Sequence, residues 1–204
     1  MLETCYGSLP SLRVVHNAVR RVPPASTKQP FILAAGRWWD AGKNARLLDA
    51  AAATAPWPVR MAGSQHGPNG QYQPIERAEA LGEIANSALR ELMRRAAIFA
   101  SPSIYEPFGL APLEAASAGA ALVLADIPTY RELWNGAAYF APLEPREFGA
   151  ALHHVTQDAA LRQELGARAA TRAAMFTLKA QADAVLAAYA EAARIHSGAR
   201  EPVI

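Results

Sequence analysis

Cys5 is the only cysteine in the chain, so no disulfide can form within it, and a reducing compartment is the natural expectation. The first thirty residues lack the apolar run of a signal peptide, and no stretch is apolar for long enough to cross a bilayer. These absences predict a soluble cytoplasmic domain and leave loose attachment to a membrane surface open. An excess of charge is lacking as well: 20 basic residues face 18 acidic ones, a formal net charge of +2. Bulk electrostatics therefore do not call for nucleic acid, and an anion site has to come from local geometry. There is no D-x-D and no H-E-x-x-H, and the five histidines show no ligand spacing. His153 and His154 are adjacent in a helical stretch and point different ways, so no metal is expected. No G-x-G-x-x-G follows the first core strand, which sets aside a nicotinamide-dependent dehydrogenase.

What is present is a globular composition, 51% hydrophobic over 204 residues, enough for one full domain. Leu12–His16 reads as a short strand, followed by an exposed connection. From Phe31 onward short apolar runs alternate with helical spacing. Phe31–Ala35, Val59–Ala62, Glu79–Ile84, Ala97–Ser101, Ala121–Ala125 and Ala138–Phe140 read as six strands. Helices are expected at 44–55, from Ser87 as cap to Arg95, from Ala111 or Pro112, and at 128–134. Three more cover 145–156, 159–175 and 178–195, with Asp158 and Thr177 as caps of the last two. Residues 64–78 form a polar Gly/Pro-rich loop of the length that is often functional or mobile. The alternation predicts α/β architecture: a single doubly wound, Rossmann-like parallel sheet of about six strands with C-terminal helices.

Two constellations fall where ligands of such sheets sit. The first is Gly36-Arg37-Trp38-Trp39-Asp40-Ala41-Gly42-Lys43-Asn44, at the turn out of the first core strand. Arg37 and Lys43 can reach phosphate oxygens, one as a fork and one as a point charge. Taken alone, they read better as solvated surface cations, since loop cations are common; the motif gains weight only from its partner. Trp38 and Trp39 are read as core residues, the alternative being that they pack against a missing partner. The second is Glu106-Pro107-Phe108-Gly109-Leu110, followed by Pro112 and Glu114. Pro107 keeps Glu106 extended, and Pro112 suits the first helical position, where its missing N–H costs nothing. Free N–H groups around Gly109 and Leu110 then face outward and attract phosphate. Glu106 on the loop and Glu114 in the first turn are read as acceptors for hydroxyls. The blander reading makes Glu114 a dipole complement and Glu106 a solvated acid.

The run from Glu106 to Glu114 with Ser117-Ala118-Gly119 resembles the E-x7-E signature of retaining glycosyltransferases of GT-B fold, specifically glycosyltransferase family 4 (group 1). Gly36-Arg37 with Lys43-Asn44 resembles the diphosphate-gripping G-R…K motif of that family, one residue longer than its commonest form. The resemblance implies a nucleoside-diphosphate-sugar as donor, retention of configuration and no metal cofactor. It implies that Arg37, Lys43 and Glu106 are catalytic. It further implies that Gly36, Ile84, Phe108, Gly109, Leu110 and Glu114 bind the donor, with Glu114 on the ribose hydroxyls and Ile84 near the base. Residues 1–30 are then an interdomain strand and linker remnant, 31–176 the nucleotide-sugar-binding domain, and 177–204 a C-terminal helix and tail. The acceptor-binding half is absent from this reading, and a separate N-terminal domain or subunit is the expected partner. The alternative is a non-catalytic nucleotide-sugar-binding or interaction module.

Overall fold

The computed structural model describes residues 7–8 and 12–198. Six strands form one parallel sheet: β1 (Gln29–Ala35), β2 (Val59–Ala62), β3 (Glu79–Gly82), β4 (Ala96–Ser101), β5 (Ala121–Ala125) and β6 (Tyr139–Ala141). The helices between and after them are α1 (Ala45–Ala52), α2 (Asn86–Arg95), α3 (Leu110–Ser117), α4 (Pro128–Trp134), α5 (Pro145–Gln157), α6 (Ala159–Ala173) and α7 (Leu178–Gly198). A single 3-10 turn, Ala41–Lys43, precedes α1. The spatial strand order is β3-β2-β1-β4-β5-β6. It reverses direction between β1 and β4, which is where open sheets of this kind receive ligands.

The central strands are apolar throughout because helices cover both faces. Every residue of β4 and β5 is buried. One core layer gathers Leu33, Phe99, Leu122 and Leu124 with Leu113 of α3 and Tyr130 and Trp134 of α4. The opposite layer gathers Ile32, Met61, Ile98 and Val123 with Leu48 of α1 and Phe148 and Leu152 of α5. Both layers hold to the sheet by alternation of side chains along each strand.

Four local expectations need correction. Leu12–His16 is not a strand: residues 12–28 carry no strand at all, and Leu12 and Val14 are exposed. The third strand stops at Gly82, whose φ of +63° turns the chain before Ile84. Ser87 does not cap α2; the N-cap position is Ala85, and no side chain bonds there. Glu114 is not in a first turn, because α3 already starts at Leu110 from a Gly109 cap with φ +90°. Asp158 and Thr177 do cap their helices, accepting from the N–H groups of Leu161 and Ala180.

Candidate functional site

A cleft of about 460 Å³ opens at the carboxyl ends of β1 and β4, at the reversal of strand order. Gly36, Arg37 and Lys43 line one wall. Ser101, Ser103 and the stretch from Glu106 to Pro112 line the other, with Asn17 and Leu89 at the margin. The structure thus brings together Gly36, Arg37, Lys43, Glu106, Phe108, Gly109 and Leu110. It does not bring Ile84 or Glu114 into the lining.

The first wall is built by glycines and a buried indole. The N–H of Gly36 donates to the Ala62 carbonyl at 3.0 Å, and that of Gly63 to the Gly82 carbonyl at 2.7 Å. Trp38 is buried and donates from Nε1 to the Ala62 carbonyl at 2.9 Å, which fixes the turn leaving β1. Trp39 is only partly buried. It lies under Gly67 of the 64–78 loop, and the Arg37 guanidinium sits 5.5 Å from its ring centre. That loop is held rather than loose: Asp49 Oδ1 accepts the N–H groups of Glu76, Arg77 and Ala78. His66 and Tyr72 stack within it at 4.6 Å.

The second wall is the entry to α3. No side chain caps this helix, so the amides of its first turn stay open to the cleft. Pro112 within that turn has no N–H to leave unsatisfied. Behind the wall, Tyr130 is fully buried, and its hydroxyl pairs with Ser101 Oγ at 2.6 Å. Ser101 pairs in turn with Ser103 at 3.2 Å. Burial pushes the Tyr130 phenol well above its ordinary range, and the charge of Glu106 adds to that.

The two cations are held differently. Arg37 pairs with Asp40 at 3.2 Å on the surface, its side chain 66% exposed. Lys43 pairs with Glu106 at 2.5 Å, with side chains only 21% and 15% exposed. Glu114 lies half-buried on α3. Burial raises its carboxyl above the ordinary value, and the Arg90 guanidinium pulls the other way. Among the described residues no three His, Cys, Asp or Glu side chains are grouped so that they could hold a metal ion. None of the described helices is long and apolar enough to cross a membrane.

Sequence reasoning missed Ser101, Ser103 and Tyr130. Their shared hydroxyl chain has no signature in spacing, since Tyr130 arrives from a different strand–helix connection. It also missed Asn17, which lies just past the Leu12–His16 stretch. The one available signal was position: Ser101 ends β4, and ends of parallel strands carry sites.

The family model described as glycosyl transferases group 1 matches residues 16–172. The O-antigen chain mannosyltransferase RfbU of Salmonella typhimurium is 33% identical over 78 residues, covering 38% of this chain and 22% of that protein. A D-inositol 3-phosphate glycosyltransferase of Kineococcus radiotolerans is 33% identical over 128 residues, covering 57% of this chain and 29% of its own length. The crystal structure of Anabaena HepE in complex with UDP-glucose superposes with a TM-score of 0.68 at 20% identity, over 79% of this chain and 49% of HepE. The chain therefore spans less than a third of these curated relatives and about half of that solved structure. With the family model matching most of its length, the chain belongs to the group 1 glycosyl transferases.

Proposed function

We propose that this chain is the donor-binding half of a retaining glycosyltransferase, moving a sugar from a nucleoside-diphosphate-sugar to an acceptor held by a further domain or subunit. The observation that carries this is the cleft at the β1/β4 reversal, where Arg37, Lys43 and the uncapped end of α3 meet. When the sugar–phosphate bond breaks, negative charge grows on the departing diphosphate. A guanidinium, an ammonium and open helix amides, placed in advance, lower that barrier without reorganising. In this reading they supply the positive charge, with no metal or other cofactor required. Glu106, beside Lys43, takes hydroxyls of the donor sugar, while Phe108, Gly109 and Leu110 bring the backbone to the phosphates. Gly36 allows the close approach on the facing wall. Glu114 and Ile84, set back from the cleft lining, reach the ribose and base only at the donor's far end. HepE, a structural neighbour, binds UDP-glucose, which makes a uridine donor the first to try.

The test is a thermal-shift panel of UDP, GDP, ADP and TDP, followed by transfer assays with the acceptor half supplied in trans. One nucleotide should raise the melting temperature. Arg37→Ala and Lys43→Ala should each weaken that nucleotide and lower turnover by about a hundredfold or more, as loss of one charge-stabilising donor does. Unchanged affinity in both variants rejects the site. Turnover unaffected by a chelator is expected, and a chelator that abolishes it rejects the metal-free reading.

A further inference from the structure

Lys43 is not a free cation. Its ammonium lies 2.5 Å from Glu106 Oε2, and both side chains are largely shielded from water. The backbone fixes this meeting from both sides. The Gly42 carbonyl, next to Lys43, accepts the N–H of Ile104 at 2.9 Å, tying the 3-10 turn to the loop that carries Glu106. Asn44, on the other side of Lys43, donates from Nδ2 to the Pro102 carbonyl at 3.3 Å. Asp40 holds the turn itself, accepting the Gly42 N–H at 2.9 Å. These bonds hold the backbone segments that carry Lys43 and Glu106 facing each other, so the two side chains stay within reach. Arg37 contrasts with it: that pair with Asp40 is exposed, lies at 3.2 Å and is readily exchanged for another anion.

We propose that Glu106 competes with the diphosphate for Lys43, so that the nucleoside diphosphate left after transfer is held more weakly than these cations alone would hold it. This rests on the donor-site reading above and deepens it. A phosphate oxygen that reaches the Lys43 ammonium has to share it with a carboxylate already in contact. The shielded setting leaves that competition poorly screened by salt. A donor sugar relieves the conflict, because its hydroxyls give the Glu106 carboxylate donors of its own. The spent diphosphate has no sugar and offers no such relief. Glu106 thus favours the intact donor over the product and assists release, a step that limits turnover in many enzymes.

The experiment measures binding of inorganic pyrophosphate, and of the nucleoside diphosphate selected by the panel, by calorimetry. Four proteins are compared: the parent chain, Glu106→Gln, Lys43→Ala and the double variant. Glu106→Gln should tighten both ligands by roughly tenfold, the scale expected when one charge is removed from a partly buried pair. In the Lys43→Ala background the same change should tighten them far less. Equal tightening in both backgrounds means simple repulsion by Glu106 and overturns competition for Lys43. No tightening in either also overturns it. Glu106→Asp, one methylene short of the ammonium, should tighten binding in the same direction and keeps the test open if the glutamine variant does not fold. Lys43→Ala, taken with the Arg37→Ala variant above, separates the two levels: if both leave pyrophosphate affinity unchanged, the donor-site reading fails; if Lys43→Ala weakens affinity while Glu106→Gln has no effect, only the competition fails.

Discussion

At Gly63 the backbone has φ +121°, and an added Cβ would lie 1.8 Å from the Gly36 carbonyl oxygen. The end of β2 approaches the Gly36 carbonyl that closely because Gly63 carries no side chain. Gly63→Ala therefore combines a disfavoured backbone with a collision against the first wall of the cleft. It should cost about 3 kcal/mol or more in a urea unfolding measurement. Surviving folded protein should also bind pyrophosphate less well, since Gly36 and Arg37 have to move. Residue by residue, what the sequence made legible was what stands in a short run: Arg37, Lys43, Glu106 and Gly109 fall in two compact motifs, and the structure brings them together. The hydroxyl chain through Ser101 and Tyr130 was illegible because its members are 29 positions apart. The Lys43–Glu106 pair was illegible for the same reason at 63 positions.

At the scale of elements, strands were legible wherever both faces are covered, because burial on two sides writes a continuous apolar run. β4, β5 and the Phe31–Ala35 part of β1 are of that kind, and β2 departs from it only at the partly exposed Arg60. Leu12–His16 shows the limit. Its residues are apolar enough for a strand, but a strand also needs a neighbour for its backbone groups, and the sheet ends at β3 and β6. The 64–78 loop shows another limit. Its composition gives no hint that Asp49, on α1, gathers three consecutive N–H groups at its exit. Asp49 is only 5% exposed, so these bonds are shielded from water and charge-assisted. Asp49→Ala should lower stability by about 3 kcal/mol by urea unfolding, through the unsatisfied amides left behind. Hydrogen exchange should rise selectively across 64–78, and Trp39, packed beneath Gly67, should become more exposed in fluorescence quenching. Exchange unchanged in that loop contradicts the clamp.

Across the whole molecule, a half-buried lysine and a buried tyrosine are shifted so that they act in opposite directions on stability at alkaline pH. Lys28 is half-buried and donates from Nζ to the carbonyls of Arg94 and Ala118, at the carboxyl ends of α2 and α3. Burial lowers its pKa from 10.5 to about 8. Between those two values the unfolded chain holds more protons than the folded one, so stability rises with pH. Tyr130 acts the other way. Its phenol is raised above its ordinary 10.0, first by burial, so above pH 10 the folded state keeps a proton that the unfolded state has lost. Stability then falls as pH climbs further. The parent protein should accordingly show a urea midpoint that increases from pH 8 toward pH 10 and declines beyond it. Lys28→Met should remove the rise, even though it loses two capping bonds and lowers the midpoint overall. Tyr130→Phe should flatten the decline while leaving the rise. A midpoint that moves in parallel in all three proteins would show that neither group governs the profile.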